Sequence, residues 1–383
     1  MSSEKKHMNW TGGSWQLTET SSETKSTIID AHSHVYRRFA SSPNKEESKR
    51  CLMFWQNHLR DFTKFWRKDD ATLVEEELLD YPSDNIYEMP DINFRMGSYG
   101  QAEFTIDGVD YVAQFYPPNL ENLEATPERM IAEMNVAGVD MGILQTDHVY
   151  GDTNEYFRDC SRKFPGRFIG LAQVREWEAD QEREAARLKE SVLEYGNRGL
   201  YFSVEPFALN HWTDHIDDAR FEPLWSMARQ LEIPVWWYLD ARWQDRTAGF
   251  LQRIDELERW TDEHPDIPSV ITHGIVPAAV IHDIGMPDKA VSLLKRPNTY
   301  AEILFQAKWP DYPFVECHDM FKHLRDEVGA ESLMWGSDMP FSSGFWCTYR
   351  QAIDYIRVHC DFLSDGEKSM ILGGNAARMF GID

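Results

Sequence analysis

The first residues of this chain able to do chemistry are two histidines one residue apart at the end of an apolar run. Residues 27–34 read Thr-Ile-Ile-Asp-Ala-His-Ser-His. In an extended strand the period-two alternation puts Asp30, His32 and His34 on one face. With 13 histidines in 383 residues, a His-x-His pair arises by chance about 0.4 times, so the pair alone decides little. Its company decides more. Glu205, His273, Glu302 and Asp338 each stand at or near the end of a later apolar run. Two imidazoles from one strand and a carboxylate from across a mouth suit Zn²⁺, Mn²⁺ or Fe²⁺ and leave positions for water or substrate. Such an ion lowers the pKa of its water and polarises a carbonyl, and Asp338 is placed to hold that water and pass on its proton.

Strands must deliver these residues to one place. Apolar runs begin at Thr27, Val139, Arg167, Gly199, Ile233, Ser269, Thr299 and Leu333, which makes eight. Helical stretches alternate with them. The clearest is Pro127–Ala137, where Thr126 serves as N-cap, Pro127 as first helical residue and Gly138 as stop. Eight alternating units predict an α/β fold, a (β/α)8 TIM barrel with its chemistry at the C-terminal strand ends. Residues 1–26 read as a polar tail or strap, residues 27–383 as one barrel domain, and residues 35–120 as an aromatic-rich insertion after the first strand, which makes the barrel a distorted one. No GxGxxG or GxxxxGK[ST] follows that strand, and no GxSxG occurs, so nucleotide binding and a serine nucleophile have no support.

Composition narrows the partners. Thirty-nine Lys and Arg against 64 Asp and Glu leave a net charge of −25, which disfavours nucleic acid and anionic membranes, since both are held by clustered cations. The expected partner is a small-molecule substrate. Five scattered cysteines read as buried thiols in a reducing compartment. The first residues lack a signal-peptide pattern and no run is long and apolar enough for a membrane span, so a cytoplasmic location is expected. The acidic runs, such as residues 75–77, read as solvated helix faces.

Several motifs carry a resemblance. Asp30-Ala-His32-Ser-His34, Gln145-Thr-Asp-His-Val-Tyr150-Gly151 with Asn154 and Tyr156, Arg167-Phe-Ile-Gly170, Thr272-His273-Gly274 and Trp335-Gly-Ser-Asp338-Met-Pro340 resemble the amidohydrolase-related branch of the metal-dependent amidohydrolase superfamily. That branch includes aminocarboxymuconate semialdehyde decarboxylase and the dihydroxybenzoate decarboxylases. The resemblance implies a distorted TIM barrel, a catalytic divalent metal, a homodimer, and hydrolysis or non-oxidative decarboxylation of an aromatic or apolar carboxylate or carbonyl compound. By motif, His32, His34 and Asp338 match metal ligands, and His273 matches the sixth-strand histidine near the substrate or a second ion.

The fifth strand departs from the family pattern, with Tyr238 where a metal-binding histidine usually stands. Tyr238 is either a ligand or a buried phenol hydrogen-bonded to its neighbours, and it stands with His273 and Asp338 among the candidate catalytic residues. Glu205, at the end of the fourth strand, is either a bridge to a second ion, with His273 and perhaps His148 or Glu302 on it, or a partner of Arg242. Trp237, Arg242 and His148 are the candidate substrate contacts. Three readings follow: hydrolysis or decarboxylation at one ion; a non-haem di-iron monooxygenase acting on a large apolar, diterpenoid-like substrate; and a barrel that has lost catalysis and binds a ligand.

Overall fold

The eight apolar runs pair in the order in which they occur. In the computed structural model, which describes the chain except residues 1–5, 12–13, 20–25, 61, 80, 82, 84, 241–244, 305–310, 345–346 and 383, they form the barrel strands β1 (Ile29–Ser33), β2 (Met141–Leu144), β3 (Phe168–Gln173), β4 (Gly199–Ser203), β5 (Val235–Tyr238), β6 (Ser269–Ile271), β7 (Thr299–Ile303) and β8 (Leu333–Trp335). All neighbouring pairs are parallel. The ring closes between β1 and the residues after β8. There Ser33 bridges Met339, the His34 N–H donates to the Met339 carbonyl over 2.8 Å, and the Asp338 N–H donates to the His32 carbonyl over 2.8 Å. Gly336 permits this approach, because a Cβ on it would lie 2.7 Å from the His32 Cβ.

The helices between strands follow the expected signals. Pro127–Ala137 starts where the Thr126 side chain accepts the Arg129 N–H, and stops at Gly138 with φ 83°. Glu182–Leu193, Glu222–Gln230, Arg246–Glu263 and His318–Val328 also form. Asn154–Lys163 forms too, with Thr153 at its N-cap but no side-chain cap bond from it; the Asn154 N–H donates instead to the Asp152 carboxylate. The C-terminal helix Asn375–Phe380 sends Ala376 and Phe380 into the barrel interior with Ile29, Ala31, Trp236 and Met334. All five cysteines are buried and unbridged. Among the described residues no helix is long and apolar enough to cross a membrane.

Two stretches hold more regular structure than their sequence suggests. Lys6–Thr11 and Ser14–Glu19 pair as an antiparallel hairpin within the polar N-terminal stretch. The segment between β1 and β2 contains the helix Lys45–His58 and a five-stranded antiparallel sheet ordered Leu73–Val74, Phe65–Arg67, Val109–Gln114, Gln101–Ile106, Arg95–Met96. Its central hairpin turns at Asp107-Gly108, both with positive φ, which is the dipeptide such a turn demands. The segment builds its own core from Phe54, Trp55, Phe65, Phe104, Phe115 and Tyr116.

The strand phases correct two expectations. Register slips between Asp30 and Ser33 of β1, and a bulge of this kind switches the face on which later residues lie. Ile29 and Ala31 therefore point inward, His32 and His34 follow them inward, and Asp30 points the other way. Its carboxylate accepts the Ser337 N–H (2.9 Å), the Ser337 hydroxyl (2.5 Å) and the Tyr349 hydroxyl (2.6 Å). Burial still holds that carboxyl up at about 6. Trp237 likewise turns away from the mouth. It is fully buried among Phe202, Trp225 and Trp260 in the layer between strands and helices, and its indole N–H donates to Ser269 Oγ over 3.1 Å. Trp237 is a core residue, not a substrate contact.

Replacing Trp237 with Ala should cost about 3–5 kcal/mol of stability, the usual range for deleting a buried tryptophan. The measurement is chemical denaturation, and bound metal in the folded fraction should match that of the unsubstituted protein.

Candidate metal centre

Three ligand atoms converge at the mouth of the barrel. His32 Nε2 and His34 Nε2 lie 3.1 Å apart, and Asp338 Oδ1 lies 3.0 Å from the second and 3.6 Å from the first. Among the described residues this is the one buried group of His, Cys, Asp and Glu that could hold an ion. Atoms about 2.1 Å from a common ion are separated by about 3.0–3.4 Å at right-angled to tetrahedral geometry, so the spacing fits.

The far sides of both rings decide which nitrogen is offered. His32 Nδ1 lies 2.7 Å from Glu302 Oε2 and His34 Nδ1 lies 3.1 Å from the Gln145 carbonyl oxygen. Neither acceptor has a proton to give, so each Nδ1 carries the hydrogen and each Nε2 presents a lone pair. Two lone pairs and a carboxylate oxygen then face one another within about 4 Å, an arrangement that a cation relieves. Burial lowers the basicity of His32 most strongly among the separate effects, but the Glu302, Asp338 and Asp30 carboxylates outweigh it and the net shift is upward.

Glu302 is the support for this centre. It is fully buried and accepts from five donors: the Gln145 amide and the Trp236 indole (2.7 Å) on Oε1, and the His32 ring, the Thr272 hydroxyl (2.6 Å) and the His273 N–H (3.2 Å) on Oε2. Its carboxylate orients a ligand and is saturated in doing so.

The remaining expected residues divide. His273 stands beside the centre, its ring 4.5 Å from that of His32 and 4.7 Å from that of Tyr238. Ser269 and Ile271 of β6 face outward and Val270 inward. His273 reaches the mouth because its φ of 56° turns the chain at the strand end; Asp338 does so with φ 55°. Left-handed backbone costs a non-glycine residue about 1–2 kcal/mol, and such strain concentrates where function needs a side chain aimed. Tyr238 lines the same cavity, but no ring or carboxylate of the three-ligand group is replaced by it.

Glu205 and His148 do not join the group. Glu205 opens a 3-10 turn, Glu205–Asn210, its N–H donating to Ser203 Oγ over 3.2 Å; it is not among the residues lining the cavity, nor in the group whose ligand atoms lie within 4.8 Å of one another. His148 is drawn aside by Glu176, 2.5 Å away, and sits between Phe54 and Trp177, lining a separate cavity. Arg242 lies outside the described residues.

The cavity over the centre has a volume of about 310 Å³. Aromatic side chains dominate its wall: Phe62, Phe115 and Tyr116 from the insertion, Tyr150 after β2, Tyr201 from β4, and Phe250 and Phe341. The insertion is thus a wall of the site. Arg246 is the one arginine or lysine among the described lining residues. Sequence reasoning took Glu302 for a second-ion ligand, and gave Gln145, Thr272 and Tyr116 no role; a carboxylate inside a strand between apolar neighbours was the available signal for the first.

Comparison with known proteins agrees with this geometry. A family model described as amidohydrolase matches residues 29–382. The 4-sulfomuconolactone hydrolase of Rhizobium radiobacter is 23% identical over 265 residues, 67% of this chain and 80% of that protein. Among solved structures, the chain resembles in fold a 5-carboxyvanillate decarboxylase from Sphingomonas paucimobilis, with a TM-score of 0.56 and 17% identity over 94% of this chain and 100% of that one. It also resembles a 4-oxalomesaconate hydratase from Rhodopseudomonas palustris, with a TM-score of 0.52 and 18% identity over 93% and 96%.

Replacing Glu302 with Gln puts an amide where five donors converge. Metal affinity should fall about 10- to 100-fold, as for other partners of metal-bound histidines, measured by competition with a chelator.

Proposed function

Because this chain belongs to the amidohydrolase family, we propose that it is a metal-dependent hydrolase or decarboxylase, using one divalent ion held by His32, His34 and Asp338. The observation that carries this reading is the convergence of two imidazole lone pairs and a carboxylate oxygen, with both rings fixed from behind. The substrate is a small aromatic or apolar carboxylate or carbonyl compound. The relatives named above act on muconolactone, vanillate and mesaconate derivatives, and the 310 Å³ aromatic cavity suits a single ring or a lactone.

A bound divalent cation supplies water of lowered pKa and polarises a substrate carbonyl. The protein's own groups do the rest. Asp338 lines the cavity and accepts a proton at its carboxylate. His273, between His32 and Tyr238, is placed to give or take a proton at the substrate. Arg246 at the cavity wall offers a charge to a substrate carboxylate. The insertion aromatics exclude water from the reacting centre. With Glu205 away from the cluster, geometry favours one ion over the dinuclear arrangement that oxygenation would use.

Elemental analysis of protein purified without added metal should find one equivalent of zinc, manganese or iron, and His32→Ala should abolish it. His273→Asn should keep the metal and lose about 10²- to 10⁴-fold in turnover, the span of a general acid or base, assayed on a panel of lactones and hydroxyaromatic acids. Two equivalents in the unsubstituted protein would sink the single-ion reading, and none would point to a binding barrel.

A further inference from the structure

The tyrosines around the centre are not equivalent. Tyr116 and Tyr150 both line the cavity, and their hydroxyl oxygens are 3.2 Å apart. The Tyr150 ring lies 5.3 Å from that of His34. Two hydroxyls carry two protons, and the bond between them uses one. Tyr36 stacks on Tyr150 with ring centroids 4.6 Å apart and an interplanar angle of 7°, but the polar contact of its hydroxyl is with Tyr116 and not with Tyr150, so it does not take the Tyr150 proton. The remaining proton belongs to the cavity.

We propose that Tyr150 is a catalytic residue that donates this hydrogen bond to the substrate oxygen at which negative charge develops, and that Tyr116, supplied by the insertion, is the residue that positions it. Tyr116 donates to Tyr150, and Tyr150 donates onward, so each bond polarises the next. The arrangement is built rather than incidental. Tyr150 ends the short turn His148–Tyr150, whose Val149 N–H donates to the Asp147 carboxylate over 3.1 Å. Tyr116 follows the strand Val109–Gln114, and the Gln114 amide donates to its carbonyl over 2.8 Å. A neutral phenol carries a proton to donate, and the 3.2 Å contact between the two hydroxyls at the cavity wall leaves one such proton free to face a substrate. A preorganised donor of this kind, in a site shielded from water, is worth most where charge appears during reaction.

The inference rests on the metal-centre reading for the place where the charge develops, and its test is separate. Two probes of the same shape, 4-nitrophenolate and nitrobenzene, differ in the oxyanion alone. They are titrated into the full-length zinc-loaded protein, with binding followed by calorimetry and by the visible band of the phenolate. Tyr150→Phe should weaken 4-nitrophenolate roughly 10- to 100-fold, the loss expected for a hydrogen bond to a charged group, and leave nitrobenzene unchanged. Tyr116→Phe should give a smaller loss with the same selectivity. Unchanged thermal midpoints show that both variants fold. Equal weakening of both probes, or no weakening of either, overturns the assignment. Failure of the metal reading shows independently, as absence of any bound divalent ion in the unsubstituted protein after loading, and the two probes are then compared on the metal-free chain.

Discussion

A single buried carboxylate holds this active centre together. Moving an ionised carboxylate out of water costs several kcal/mol after relaxation, and Glu302 on β7 meets that cost with donors from β1, the end of β2, β5 and the end of β6. The saturation has a structural price for its neighbours: Trp236 must turn inward to lend its indole N–H, and Thr272 must keep its hydroxyl aimed at the carboxylate. In exchange, His32 is left one tautomer and one ring orientation. Gln145 reinforces this from the side, giving its amide to Glu302 and its carbonyl to His34. One network therefore sets the direction of both imidazoles.

The cavity above this network is shaped by an addition to the barrel. The segment between β1 and β2 has its own sheet and core, yet it presents Phe62, Phe115 and Tyr116 to the mouth. Phe341, just beyond β8, packs against Phe115 and Tyr116 with ring centroids 5.1 and 5.6 Å away. Part of the cavity wall thus comes from a segment separate from the strands that carry the candidate ion site.

Much of the barrel was legible because each strand is a short apolar run set off by capping and turn signals. The convergence of His32, His34 and Asp338 was legible because they stand at strand ends, where this architecture puts its chemistry. What failed was phase. Period-two reasoning put Asp30 beside His32, but the bulge in β1 reverses the face, and nothing in the side-chain pattern marks a bulge. His273, two residues past β6, reaches the mouth through a left-handed backbone and not through strand alternation. Trp237 could not be told from Trp236, since two adjacent indoles look alike until one knows which faces Glu302. Local rules broke where the site demanded aim over regularity. The hairpin at Asp107-Gly108 was missed although Gln101–Ile106 alternates polar and apolar at every position and the dipeptide itself is a strong turn signal.

The closure of the barrel between β1 and the residues after β8 sets a further condition on the chain. His34 and Asp338 are 304 residues apart in sequence, and together with His32 they sit astride the seam where the ring is joined by a few backbone bonds instead of a full ladder. An ion at that point is a clasp between the two ends of the polypeptide. Held only where both ends are folded, it stabilises the closed ring by binding and is released when the ring opens. No ion site exists on the ribosome until the eighth strand has emerged and found the first.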